Sequence, residues 1–115
     1  MRILYRSKRI EEQFSSEYKK KWRYPKNVSQ KLVATEDFIK SSDSLKDIFS
    51  YKPFSLERLS GRRKDEWSIR VGNTGYRITF IPCDDEENEI TEGDIFAQCK
   101  TIKVVKITEV SNHYE

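Results

Sequence analysis

At 115 residues the chain is long enough for one modest core of two helices on a small sheet and too short for two cores. It carries 22 Lys and Arg against 19 Asp and Glu, a net charge of +3, and no apolar run approaches the length of a membrane span or forms a secretory h-region after Met1, so a cytosolic protein is expected. Cys83 and Cys99 lack a neighbouring His-Cys ligand set and read as reduced thiols beside strands rather than as a bridge or a metal site.

Ile3-Leu4-Tyr5 is short and apolar, which suits a first strand at a sheet edge. Ser7 can cap a helix, and Ile10, Phe14, Tyr18 and Trp22 recur every four residues as one stripe of it. Glu11, Glu12 and Glu17 come early and Lys19, Lys20 and Lys21 late, as the helix dipole favours. Tyr24-Pro25 ends this helix. A second is predicted from Lys26 or Asn27 to Lys40, with Val28, Leu32, Thr35 and Ile39 on one face, before Ser41-Ser42-Asp43-Ser44 breaks the pattern. Leu45, Ile48 and Phe49 fit one further turn. Tyr51 to Ser55 reads as extended, because Pro53 biases its predecessor away from helix.

In Trp67-Ser68-Ile69-Arg70-Val71 and Tyr76-Arg77-Ile78-Thr79-Phe80 apolar residues alternate with polar ones, so each is a strand with one buried face. Gly72-Asn73-Thr74-Gly75 is turn chemistry that joins them as an antiparallel hairpin. The phase puts Trp67 in the core and turns Arg70 and Arg77 away from it. Arg62, Arg63 and Lys64 lie just before the hairpin, with only Asp65 and Glu66 to offset them. Such a cluster is either a solvated charged face or an anion site, the planar fork of arginine being matched to phosphate oxygens.

Asp84 to Asp94 holds seven of the 19 acids and no cation, so the rest of the chain has a balance of +10. A basic body with one acidic loop is the charge distribution of a nucleic-acid binder whose loop lies off the binding face. The loop itself reads as solvated and disordered, a divalent-cation site being the alternative. Val104 to Val110 is the last strand. The order is β-α-α-β-β-β, an α+β fold with two helices packed on one face of a small, twisted, mainly antiparallel sheet.

Leu59, Gly61 and Arg63, then Trp67-Ser68-Ile69, then Tyr76-Arg77-Ile78 form a pattern that resembles the RelE-like toxins of type II toxin-antitoxin systems, and within them the HigB type. In that group a turn with leucine, glycine and basic residues leads into a Trp-Ser-Ile strand and then a strand opening with an aromatic and an arginine. The likeness extends over Leu32 to Phe80 and over the final strand, after which His113-Tyr114 stands where HigB-type chains carry an acidic-aromatic-histidine tripeptide. Two positions depart from the pattern. Ser60 stands where a lysine is common, and Asn112 where an aromatic usually precedes the histidine.

The resemblance implies a ribosome-dependent messenger-RNA endoribonuclease that works by attack of the ribose 2′-hydroxyl on the adjacent phosphate, with no metal or other cofactor. It implies Arg77 as the phosphate-stabilising group and His113 as general base or acid, with Tyr114 in the stacking or proton-transfer role of the missing aromatic. Arg62, Arg63, Lys64 and Arg70 are then phosphate or ribosomal-RNA contacts. The implied partners are a helix-turn-helix antitoxin of the HigA type, through which operator DNA is reached indirectly, and the ribosome with its messenger RNA. A gyrase-poisoning toxin of the ParE type and a non-enzymatic RNA-binding module are the alternatives, and neither requires a proton-transfer group beside Arg77.

Overall fold

A computed structural model describes residues 1–15 and 24–112. Five strands form one sheet: β1 (Arg2–Tyr5), β2 (Glu57–Arg58), β3 (Trp67–Arg70), β4 (Tyr76–Cys83) and β5 (Val104–Asn112), in the spatial order β1-β5-β4-β3-β2. The described helices are α1 (Lys8–Glu12), α2 (Lys26–Ser41), α3 (Leu45–Ser50) and α4 (Ile95–Gln98). The fold is α+β, as composition and pattern predict. The sheet, however, is mixed rather than mainly antiparallel: β2, β3, β4 and β5 pair antiparallel, whereas β1 runs parallel to β5 with Arg2 opposite Val104 and Tyr5 opposite Ile107. Parallel neighbours need a long connection between them. Strands at opposite ends of the chain satisfy that requirement, but periodicity along one strand carries no information about its partner.

The first helix is shorter than its stripe predicts. Ser7 caps it, its hydroxyl accepting from the Ile10 amide at 3.2 Å, and it closes at Glu12 in i→i−3 hydrogen bonds from Gln13, Phe14 and Ser15. Tyr18, Trp22 and Lys19 to Lys21 lie outside the described residues. The second helix follows prediction, beginning after Pro25 and burying Val28, Leu32, Thr35 and Ile39. The extra turn is a helix in its own right, α3, with Ser44 capping its N-terminus. Lys52 to Phe54 is a 3₁₀ turn rather than an extended connection, and it buries Phe54.

One apolar cluster unites the helices with one face of the sheet. Val28, Leu32 and Ile39 of α2 and Leu45 and Ile48 of α3 join Trp67, Ile69, Ile78, Phe80, Val105 and Ile107 from the strands. Burying each of these side chains contributes roughly 1.5–3 kcal/mol. The helices therefore occupy one face. The alternate residues Ser68, Arg70, Arg77 and Thr79 are left on the other.

The hairpin turn forms as its glycines predict: Gly72 and Gly75 have φ of +55° and +84°, and the Val71 amide bonds to the Tyr76 carbonyl at 3.0 Å. At Gly72 the positive φ is what disfavours a side chain, since a Cβ there would meet only the movable end of Lys31, 2.7 Å from its Cδ.

The acidic segment is folded rather than disordered. Asp84 Oδ1 accepts from the amides of Glu86 and Asn88, both at 2.9 Å, closing a tight turn that brings Glu89 opposite Cys83. Lys106 pairs with Glu89 at 3.1 Å and Arg2 with Glu87 at 3.5 Å, so cations of the sheet disperse part of the repulsion. Ile90 packs against the core, and Asp94 caps α4, which buries Ile95. These contacts were invisible to composition alone. We expect Asp84→Ala to lower stability by about 1 kcal/mol, the worth of the lost turn bonds, in urea unfolding. An unchanged midpoint would mean that the turn contributes nothing to the fold.

Candidate functional site

The helix-free face of the sheet carries two cross-strand rows of polar side chains. Register places Glu57, Ser68, Thr79 and Glu109 in one row and Arg70, Arg77 and Ser111 in the next. Side chains directly opposite on neighbouring strands lie on the same face, so strand order alone assembles these groups.

Arg77 sits on the predicted face, but it is not an open surface residue. It is 8% exposed, sunk among its neighbours, with Nη1 donating to Ser68 Oγ at 3.2 Å and lying 3.7 Å from Glu57 Oε2. Its Nε is buried and has no hydrogen-bond partner among the described residues. Such a donor costs free energy until an acceptor reaches it. The arrangement thus holds a fixed cation with spare donor capacity beside a carboxylate whose side chain is 57% exposed.

Arg63 is drawn into a second cluster. Gly61, at φ +65°, opens a 3₁₀ turn over Gly61–Arg63 that swings Arg63 back toward the sheet. There it makes a bidentate pair with Glu66, Nε to Oε2 at 2.8 Å and Nη2 to Oε1 at 2.9 Å, while Nη1 meets Glu109 at 3.0 Å. Glu66 is only 6% exposed. A buried carboxylate needs its lone pairs filled, and Thr108 supplies one more bond, its hydroxyl donating to Oε1 at 2.7 Å. Thr108 can reach because the register slips between Thr79 and Phe80: Thr79 faces Glu109 and Phe80 faces Ile107, leaving Thr108 as the extra residue of a bulge.

The hydrogen bonds from Arg63 hold the Glu66 carboxyl below the usual carboxylate range despite the opposing effect of burial, and Thr108 adds to the lowering. Glu66 in turn pushes the Arg63 guanidinium further up. Burial has the reverse role at Cys83, raising its thiol to about 11 and keeping it protonated and unreactive at neutral pH. Cys83 and Cys99 are both free and buried.

The residues singled out from sequence therefore separate. Arg70 and Arg77 are register partners on adjacent strands, and Arg62 and Lys64 are exposed cations beside the Gly61 turn. Among the described residues Arg62, Lys64 and Arg70 form no ion pair, whereas Arg63 is held between two carboxylates. Its guanidinium is thus engaged in ion pairs, although its side chain stays 42% exposed. His113 and Tyr114 lie outside the described residues. Trp67 is in the core at 2% exposure, as its phase predicts, with the Arg58 guanidinium 5.1 Å above its ring.

Sequence reasoning missed Glu57, Glu66, Ser68, Thr108 and Glu109. Ser68 and Glu109 alternate in phase with Arg70 and Ser111, so the period of the strands could have flagged them. Glu57 could not be found this way, because β2 has two residues and shows no period.

The chain matches no protein-family model and no curated protein.

Removing Arg63 should leave Glu66 buried with one hydrogen bond, and Arg63→Ala is expected to cost roughly 2 kcal/mol at neutral pH. The folded carboxyl is lowered, so the stability from this pair is present above the unfolded carboxylate value of about 4.3 and is lost as pH falls through the folded value. The deficit of the variant should accordingly shrink in acid. Urea titrations of both proteins across that range check it, and a deficit independent of pH would detach Arg63 from Glu66.

Proposed function

We propose that the protein is the toxin of a type II toxin-antitoxin system and a metal-independent endoribonuclease that cuts messenger RNA on the ribosome. The observation that carries this reading is Arg77, a buried guanidinium with an unpartnered Nε on the helix-free face, beside Glu57 and close to the unpaired Arg70. The pattern from Leu59 to Phe80, which resembles RelE-like and HigB-type toxins, supports it from the sequence side.

Cleavage by an internal hydroxyl needs a group to take the 2′ proton, donors for the charge that grows on the phosphate oxygens, and a group to protonate the departing 5′ oxygen. The new bond joins the 2′ oxygen to phosphorus as the bond to the 5′ oxygen breaks, leaving a cyclic phosphate and a free hydroxyl. Arg77 is assigned the phosphate charge, Nη1 exchanging its weak contact with Glu57 for a phosphate oxygen. Glu57, once displaced, is an accessible carboxylate beside Arg77, and it is assigned the 2′ proton. His113, or Tyr114 beside it, is assigned the leaving-group proton, imidazole titrating near working pH. Arg62, Lys64 and Arg70 supply salt-sensitive phosphate or ribosomal-RNA contacts. A helix-turn-helix antitoxin and a cytosolic location complete the reading, in keeping with the absence of any described helix long and apolar enough to cross a membrane.

Arg77→Ala should lower cleavage of messenger RNA on programmed ribosomes by about 10²–10³, the effect of removing one donor to a developing oxyanion, while far-ultraviolet circular dichroism stays native. Arg77→Lys should restore little, a point charge being a poor substitute for the fork. Full activity in a folded alanine variant would remove Arg77 from the site. Transcripts left intact on induction, together with a DNA-damage response, would instead favour gyrase poisoning.

A further inference from the structure

On the helix side of the molecule, α2, the 3₁₀ turn after α3 and the end of β3 enclose a groove of about 280 Å³. Ala34, Phe38, Tyr51 and Phe54 make its apolar wall, and Lys31 and Arg70 stand at one end. The three aromatic rings are mutually packed, with centroids 4.6 to 5.0 Å apart. Tyr51 nonetheless remains 42% exposed, one of only two large apolar side chains that are open among the described residues. A shallower depression bordered by Ser42, Asp47 and Ser50 continues beyond Phe38 and Tyr51, which line both.

Charge along this trough is polarised. Neither Lys31 nor Arg70 forms an ion pair among the described residues, and no carboxylate lines the groove they border. At the far end stands Asp47, which accepts from the Asp43 amide. The Lys31 side chain passes over Gly72, its Cδ 2.7 Å from where a Cβ would stand. The helix and the 3₁₀ turn that form the apolar wall bond their amides within themselves, so recognition along that wall must come from side chains.

We propose that this trough is a docking site for a peptide segment of a protein partner, one that lays a large aliphatic or aromatic side chain against the packed rings of Phe38, Tyr51 and Phe54 and sets carboxylates against Lys31 and Arg70. Aromatic pockets supply anchoring, and paired opposite charges set orientation and on-rate. The proposal is separable from the nuclease reading: its aromatic wall and Lys31 lie on the helix side, Arg77 and Glu57 take no part, and Arg70 is the one group that both readings use.

A random-peptide display selection against the intact chain, followed by fluorescence anisotropy on the recovered peptides, tests it. Recovered sequences should combine Leu, Ile or Phe with flanking Asp or Glu, and Tyr51→Ser and Lys31→Glu should each weaken their binding by about tenfold. Both altered residues are exposed, and thermal melts establish that the variants fold. Arg77→Ala should bind as the parent does. Recovery of no peptide, recovery of neutral or basic peptides, or affinities unchanged in both variants would overturn the proposal. So would a single-stranded RNA oligonucleotide that binds the parent and loses affinity in Lys31→Glu when no acidic peptide does.

Discussion

A carboxylate with almost no access to water ties the polar half of this molecule together. Glu66 closes the turn that starts at Gly61, anchors Arg63 through two hydrogen bonds, and receives a third from Thr108 on the far strand of the sheet. Without those partners its burial would cost several kcal/mol, so turn, bulge and guanidinium are bound to one another. Arg63 extends the link to Glu109, and the two clusters of the open face then lie side by side across β2 to β5.

That linkage changes the meaning of the basic sequence around it. Five cations near one hairpin suggest a surface of unrelieved positive charge, yet one of them is neutralised by two carboxylates and a second is sunk beside a third carboxylate. What remains without an ion pair among the described residues is Arg62 and Lys64 at the Gly61 turn and Arg70 opposite Arg77, whose own Nε is buried without an acceptor. On the proposed reading, an anion that drew Arg77 away from its 3.7 Å contact with Glu57 would leave that carboxylate free.

The two sides of the sheet differ in character for a simple reason of geometry. Strand alternation sends Ile69 and Ile78 toward α2 and sends Ser68 and Arg77 away from it. The two proposed sites therefore lie mainly on opposite sides of the core. Arg70, last residue of β3, borders both the polar row of Arg77 and the end of the aromatic trough.

Much of this was present in the amino-acid order. Alternation assigned the faces of β3 and β4, put Trp67 inside and Arg77 on the polar side; the stripe from Val28 to Ile39 delimited α2, and paired glycines located the hairpin turn. All of these are local, set by backbone sterics and by periods of two or 3.6 residues. The parallel seat of β1, the folding of the acidic segment, the burial of Arg77 and the capture of Arg63 by Glu66 and Glu109 were not legible. Each depends on groups that are distant in the chain or on a register slip that no spacing records. Sequence thus determined which side chains face which way, and tertiary structure alone decided which charges cancel, because Coulomb attraction and desolvation follow distance in space.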